Sequence, residues 1–167
     1  MKKEEKFWND LKSGKFVSMV KESSRGQEIN NARDVFNVMK PVFAENDDVE
    51  QIYCIYMDTK NRIIATEKMF SGTIGQTVVY PREIVKRVIA LKAAAVIMVH
   101  NHPSGDSSPS QDDRDITGRV WLALKSMQVT FHDHIIVGDE YFSFGDDGFF
   151  DSLASEFRTF TRKTTIK

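Results

Sequence analysis

Two histidines stand two residues apart at the end of an apolar stretch, His100 and His102 in VHNHPSGDSSPSQDD. In a β-strand, residues i and i+2 point to the same side, so both imidazoles can reach one point in space. Asp113 follows after a turn rich in Pro, Gly and Ser, which can bring its carboxylate back to the pair. Two imidazoles and one carboxylate suit zinc, and three protein ligands leave one position for water. The spacing therefore predicts a catalytic metal site. Asn101, between the histidines, points to the other side and is assigned no chemical role.

Two simpler explanations of these residues stay open. Ser110 and Asp113 also have the spacing of a capping box, in which a serine and an acid three residues later bond the free amides at a helix start. The two histidines can also be polar residues at a strand end that bind nothing. We favour the metal site, because the capping box leaves both histidines unexplained and a capping serine is compatible with a ligand aspartate.

The other residues of ligand type are assigned no metal. His132 and His134 repeat the two-residue spacing in FHDHIIVG, but no acid follows them at a comparable distance at the start of a helix. A histidine under the sheet, or a partner of a metal ligand, is therefore favoured over a second metal site. Cys54 is the only cysteine and lies in the apolar run IYCIYM, where we expect a buried, unreactive thiol.

Hydrophobic patterns predict the elements that would position these residues. The apolar run AAAVIMV has strand length and is typical of a central strand covered on both faces, and the histidine pair begins where it ends. A helix is expected at 30–44, where Pro41 bends or ends it. We further expect strands at 51–57, 62–69, 93–99, 130–137 and 141–144, and helices at 81–92, 111–128 and 151–160. This order predicts an α/β fold, with a mixed β-sheet flanked by helices.

Composition limits the classes of function. Hydrophobic residues at 41% and charged residues at 28% are ordinary for a globular domain, and a net charge of −1 gives no general attraction to nucleic acid or anionic membrane. No apolar run approaches the ~20 residues of a membrane-spanning helix, and the start MKKEEKFWND lacks the apolar core of a signal peptide. We expect a cytoplasmic protein that binds no membrane. Nucleic-acid binding is disfavoured, and homo-oligomerisation stays open.

Several motifs of the sequence also resemble those of a known protein family. HNHPSGDSSPSQDD resembles the His-x-His-Pro and Ser-x-x-Asp motif of the JAB/MPN (JAMM) metalloproteins, and SGT, YPREIVKRVIAL and DHIIVGDEYFS resemble the RadC-type branch of that group. His132 departs from the apolar residue expected before the Asp-His pair. The resemblance implies a cytidine-deaminase-like sandwich in a short stand-alone form, because no helix-hairpin-helix region is apparent. It divides the chain into an N-terminal helical extension at 1–45, a RadC-type JAB/MPN domain at 46–150 and a C-terminal tail or short helix at 151–167.

The resemblance also implies a general base and an activity. The family carries a glutamate just ahead of the first strand of the hairpin, which assigns this role to Glu50. Spacing alone cannot choose Glu50 over Glu67, the reserve candidate, or over Glu83, which fits better as a first-turn acid of a helix. The implied reaction is zinc-dependent hydrolysis of a peptide or isopeptide bond. Glu50 would take a proton from the attacking water, and Ser110 would donate a hydrogen bond to the developing oxyanion.

Other functions compete with this prediction. The JAB fold can serve as a non-enzymatic protein-interaction module, although the filled ligand positions favour an enzyme. A DNA-repair accessory role would need local basic surface, and no dense basic stripe is present. The letters HNH do not predict an HNH nuclease, whose three residues are dispersed over a hairpin and a helix. The substrate is expected to be a peptide or protein of unknown identity, selected by loops such as 70–79 and 104–110.

Overall fold

The fold was obtained as a computed structural model that describes residue 13 and residues 15–44, 48–72 and 79–164. The described elements, in chain order, are α1 (Lys15–Ser24), α2 (Ala32–Phe43), β1 (Glu50–Met57), β2 (Ile63–Gly72), α3 (Pro81–Leu91), β3 (Ala95–Asn101), α4 (Gln111–Ser126), β4 (Thr130–Val137), β5 (Tyr141–Ser143) and α5 (Phe149–Thr164). The strands form one sheet in the order β2-β1-β3-β4-β5, in which only the β3–β4 pair is parallel. The predicted α/β fold with a mixed sheet flanked by helices is confirmed.

Strand β3 is the centre of the sheet, and each of its residues is buried. On one face, apolar residues of β3 belong to the same core as Val35 and Met39 of α2. On the other face they belong to a core with Ile84 of α3 and with Val120 and Leu124 of α4. A strand covered on both faces needs no polar alternation, which explains its continuous apolar sequence. This buried strand is a fixed platform for the histidines at its end.

The topology brings three segments to one edge of the sheet. Strand β1 runs antiparallel to β3 and places Ile52 opposite His100, so β1 starts where β3 ends. Helix α4 follows β3 and leads to the parallel strand β4, so α4 also begins at this edge. In α/β sheets, ligands commonly bind beyond the carboxyl ends of strands. The start of β1, the end of β3 and the start of α4 are therefore the elements that form the site.

Several predicted element bounds differ from the observed ones. Helix α2 continues past Pro41 to Phe43, because a proline near a helix end costs few backbone hydrogen bonds. Helix α5 spans Phe149–Thr164 and is longer than the predicted 151–160. Predictions for residues 1–12, 14, 45–47, 73–78 and 165–167 lie outside the described residues, and the domain bounds at 45 and 150 stay predictions. Among the described helices, none has the length and apolar character needed to cross a bilayer.

Candidate metal centre

Four side chains meet beyond the end of β3. Glu50, His100, His102 and Asp113 each offer one ligand-type atom, and these atoms all lie within 4.8 Å of one another. The Nε2 atoms of the two histidines are 2.8 Å apart, and Asp113 Oδ1 lies 3.2 Å from His100 Nε2. Glu50 Oε1 lies 3.9 Å from the same nitrogen. The structure thus brings the three predicted ligands and the predicted base into one candidate metal-binding cluster.

Hydrogen bonds turn the Nε2 atoms of both imidazoles toward the cluster. His102 Nδ1 lies 2.7 Å from the carbonyl oxygen of Asp106. Because a carbonyl can only accept, this nitrogen carries the proton of a neutral ring and Nε2 keeps its lone pair. His100 turns its Nδ1 toward His134 Nε2 at 2.7 Å, so its own Nε2 also faces the cluster.

The donor set fits a divalent cation. Two imidazole nitrogens and the Asp113 carboxylate point lone pairs at one another, and such groups repel unless a proton or a cation lies between them. Imidazole and carboxylate together are ligands that zinc takes in catalytic sites. His100 is 1% exposed at its side chain, whereas Glu50 and His102 are each 16% exposed. The cluster therefore has a buried side at His100 and an open side at Glu50 and His102.

The pKa values of the cluster follow from the charge on Asp113. Burial alone would raise the pKa of the Asp113 carboxyl, but the hydrogen bonds that His100 and His102 donate whenever their Nε2 atoms are protonated, together with the bond from Ser110, outweigh it and hold that pKa well below its ordinary value. Burial alone would lower the pKa of His102, but its bonds to Asp113 and to the Asp106 carbonyl outweigh it and raise that pKa. Asp113 thus remains a carboxylate that favours positive charge beside it, whether a proton or a metal ion.

Ser110 and Asp113 form the predicted capping box, and this box coexists with the cluster. Asp113 Oδ2 accepts hydrogen bonds from Ser110 N at 2.8 Å and from Ser110 Oγ at 2.6 Å. Ser110 Oγ accepts in turn from Asp113 N at 3.1 Å. One carboxylate oxygen therefore closes the start of α4, while the other faces His100. The capping oxygen Oδ2 also lies 3.5 Å from His102 Nε2. The two explanations of these residues are compatible because the capping box leaves Oδ1 directed at His100.

Asn101 holds the backbone around Glu50, a role that the sequence interpretation missed. Its Oδ1 accepts a hydrogen bond from Gln51 N at 2.7 Å, and its Nδ2 donates to the carbonyl oxygen of Val49 at 3.0 Å. Asn101 is 4% and Gln51 3% exposed, so the bond between them is shielded from bulk water, whereas Val49 is half-buried. The only sequence signal was an amide side chain at a strand end, which does not reveal its partners.

The other glutamates considered as a base lie outside the cluster. Glu67, on β2, accepts two hydrogen bonds from the Arg87 guanidinium, one of them 2.7 Å long. Strand pairing places it opposite Cys54, four residues along β1 from Glu50, which is ~13 Å at the usual strand rise. Glu83 lies in the first turn of α3, as expected. Cys54 is buried, as predicted, and burial raises the pKa of its thiol to about 12.

The second histidine pair does not share a face of the sheet. The β3–β4 register passes from Phe131 to Asp133 without a partner for His132, which forms a bulge. His132 is exposed and contacts Asn61 Oδ1 through Nε2 at 2.8 Å. His134 is 1% exposed and lies against His100. Of the two open explanations for this pair, a partner of a metal ligand describes His134.

Two glycines fit the loop after His102 against the turn between β4 and β5. Gly105 has φ +84, and a Cβ on Gly138 would lie 2.2 Å from the Gly105 carbonyl oxygen. Asp139 N donates to that oxygen at 2.8 Å, and His102 N donates to Val137 O at 2.9 Å. The loop that carries Asp106 and Ser110 is thus fastened to β4 at a point where only glycine fits. The sequence showed a turn here but not this contact.

Comparisons with known proteins bear on the same residues. A family model described as RadC-like JAB domain matches residues 29–149, a span that includes the four residues of the cluster. A UPF0758 protein of Actinobacillus pleuropneumoniae serotype 5b (strain L20) is 45% identical over 106 residues, which are 63% of this chain and 48% of that protein.

Two further relatives show the same similarity. A UPF0758 protein of Thiobacillus denitrificans (strain ATCC 25259 / T1) is 39% identical over 132 residues, which are 78% of this chain and 58% of that protein. UPF0758 protein YkfG of Escherichia coli (strain K12) is 45% identical over 100 residues, which are 59% of this chain and 63% of that protein. The chain spans about half the length of most of these relatives.

Proposed function

The chain belongs to the RadC-like JAB domain family, and we propose that it is a zinc-dependent hydrolase of peptide or isopeptide bonds. The observation that carries this proposal is the convergence of two imidazole Nε2 atoms and a carboxylate beside a second, partly exposed carboxylate. The first three groups are a catalytic zinc ligand set, and the fourth is a proton acceptor within reach of it. A purely structural cluster would have no need of an open side.

His100 Nε2, His102 Nε2 and Asp113 Oδ1 would hold the zinc ion. Each of these atoms already faces the cluster, and the second oxygen of Asp113 is held by Ser110. A bound zinc ion supplies an acidified water molecule and an electrophile for the substrate carbonyl. The resemblance to JAMM metalloproteins supports zinc over other divalent cations.

Glu50 would act as the general base and then as the general acid. Its carboxylate accepts a proton from the attacking water and passes it to the nitrogen of the leaving amine. Glu50 Oε1 lies 3.9 Å from His100 Nε2, and the side chain lies on the open side of the cluster. A substrate that approaches from this side would meet the base and the ligands together.

Ser110 would donate a hydrogen bond to the oxyanion that develops on the substrate carbonyl. In this structure its hydroxyl donates to Asp113 Oδ2 at 2.6 Å. The proposed role therefore requires the hydroxyl hydrogen to turn from Asp113 to the substrate, which is a rotation about one bond. Because the backbone amide of Ser110 continues to hold Asp113, the ligand keeps its orientation during this rotation.

A hydrolysis screen tests the proposed function. Zinc-loaded protein would be incubated with panels of peptide, isopeptide and nucleic-acid substrates, together with the Glu50→Gln variant. We expect cleavage of an amide or isopeptide substrate and a loss of about 100-fold or more in Glu50→Gln, the scale of a removed general base. Glu83→Gln, which changes a glutamate outside the cluster, is the matched control and should cleave like the wild type.

Three outcomes would contradict this proposal. Full activity in Glu50→Gln would remove Glu50 as the base. Zinc-loaded protein that cleaves none of the panel but captures a protein ligand would instead support the non-enzymatic interaction module. Cleavage restricted to nucleic acid would support the DNA-repair alternative.

A further inference from the structure

A chain of hydrogen bonds runs behind the cluster, on its buried side. The Thr117 hydroxyl bonds the backbone carbonyl oxygen of Asp113, and its oxygen lies 2.6 Å from His134 Nδ1. His134 Nε2 lies 2.7 Å from His100 Nδ1. This relay of Thr117, His134 and His100 therefore begins at one candidate ligand, Asp113, and ends at another.

The direction of each hydrogen bond in the relay follows from its first acceptor. The Asp113 carbonyl oxygen can only accept, so the Thr117 hydroxyl donates its single hydrogen to this oxygen. Thr117 Oγ1 must then accept from His134 Nδ1, which carries the proton of that ring. His134 Nε2 is left with a lone pair and accepts from His100 Nδ1. By elimination, His100 presents an unprotonated Nε2 to the cluster.

The three side chains of the relay are buried, so water does not compete for their hydrogen bonds. His134 and His100 are each 1% exposed, and Thr117 is fully buried. The His134 ring stacks on Phe144, with ring centroids 5.0 Å apart and planes inclined by 4°. Stacking fixes the plane of the ring, so its two nitrogens remain aimed at Thr117 and His100. Both nitrogens are used in this way, which leaves His134 no lone pair for a metal of its own.

We propose that His134 is a positioning residue that, with Thr117, holds His100 in the tautomer able to bind a metal. Imidazoles that bind metals usually donate their other N–H to a carboxylate, carbonyl or water. His102 follows that pattern through the Asp106 carbonyl, whereas His100 donates to a second imidazole. The tautomer of His100 therefore depends on the Thr117 hydroxyl, which acts through His134. This inference rests on the metal site of the proposed function.

The substitution Thr117→Val gives the relay a specific signature. Valine keeps the volume of threonine but removes its hydroxyl, so His134 Nδ1 loses its acceptor. His134 is then free to carry its proton on Nε2 and donate to His100 Nδ1, which moves the proton of His100 to Nε2. We expect this inversion of both tautomers in long-range ¹H–¹⁵N spectra of metal-free protein, and a zinc affinity lower by about 10- to 100-fold.

Conservative variants distinguish this role from packing. Thr117→Ser restores the hydroxyl, and we expect the wild-type tautomers and a zinc affinity within a few-fold of wild type. His134→Gln keeps an acceptor for His100, whereas His134→Leu does not, so zinc should bind more weakly to the leucine variant. Circular dichroism of each variant would check that it is folded.

The measurements separate failure of the relay from failure of the proposed function. A wild-type spectrum with the His100 proton on Nε2 would overturn the relay without any variant. Zinc affinity and tautomers that remain unchanged in Thr117→Val would also overturn it, while the metal site would stand. Wild-type protein that shows the expected tautomers but binds no zinc would contradict the proposed function and leave the relay intact.

Discussion

The side chain of Asn101 fixes the position of Glu50 through the backbone on both sides of it. Asn101 Oδ1 accepts from Gln51 N, and its Nδ2 donates to Val49 O. The last residue of β3, which stands between His100 and His102, therefore holds the segment whose carboxylate faces them. Residues 100–102 thus connect the two candidate ligand histidines to the candidate base, so a displacement of this segment moves them together.

Replacement of Asn101 should loosen the position of Glu50 relative to His100 and His102. Asn101→Leu keeps the approximate volume but removes the acceptor of the buried Gln51 N–H and one donor to the half-buried Val49 C=O. Loss of the bond to the buried N–H costs about 1–3 kcal/mol in unfolding free energy, whereas water can reach the carbonyl. We expect the zinc content to persist, the Gln51 amide to exchange hydrogen faster, and any amide hydrolysis to fall. Asn37→Leu, on the exposed side of α2, is the control. Unchanged exchange at Gln51 in Asn101→Leu would contradict this role.

Gly138 should be intolerant of a side chain. A Cβ there would lie 2.2 Å from the Gly105 carbonyl oxygen, and backbone must move to admit it. We expect Gly138→Ala to lose about 1–3 kcal/mol of unfolding free energy and to bind zinc more weakly, because the displaced loop carries the Asp106 carbonyl that orients His102. Urea denaturation and zinc titration measure the two effects.

The control for this variant is Gly118→Ala in α4. Its Cβ would meet only Leu153 at 4.0 Å, and alanine is better than glycine inside a helix by ~1 kcal/mol. Gly118→Ala should therefore be as stable as the wild type or more so. Equal stability of Gly138→Ala and the wild type would show that the two loops are not held as described.

Asp133 should make the protein less stable as pH rises. Burial raises the pKa of its carboxyl from 3.8 to about 6, although hydrogen bonds from Ser143 and from Gly145 N oppose the rise. The folded state therefore binds this proton more tightly than the unfolded state. Its contribution to stability is present below about pH 4 and is lost as pH rises to about 6, a change of about 3 kcal/mol.

Asp133→Asn should remove that part of the pH dependence. Unfolding free energies from urea titrations between about pH 4 and 7.5 would be compared for the variant and the wild type. Asp115→Asn, an exposed aspartate of α4, controls for a change in net charge. If the wild type and Asp133→Asn lose stability in parallel over this interval, Asp133 is not protonated in the folded protein.

Local patterns in the sequence were sufficient to predict that the three candidate metal ligands lie together. The apolar run of β3 predicted a buried central strand, and the two-residue spacing of His100 and His102 predicted imidazoles on one side of it. The turn signals and the capping box predicted where Asp113 would lie. These predictions hold because strand period, turn chemistry and helix capping act over a few residues.

Such local patterns could not predict contacts between segments that lie far apart in the chain. Glu50 was assigned only through the family resemblance, because its approach to His100 depends on the antiparallel pairing of β1 with β3. The contacts of Asn101 and the relay through Thr117 and His134 join segments far apart in the chain. A bulge at His132 also broke the period of β4, which sequence spacing does not reveal.

The metal content of the purified protein shows whether His100, His102 and Asp113 hold a zinc ion. Protein dialysed against buffer with trace zinc and no chelator would be measured by elemental analysis, alongside His100→Ala and Asp113→Ala. The matched controls are His132→Ala and Asp112→Ala, which change an exposed histidine and a neighbouring exposed aspartate. We expect about one zinc ion per chain in the wild type and in both controls, and little in the two cluster variants. Wild-type protein free of zinc, or cluster variants that retain it, would show that these residues do not form a zinc site.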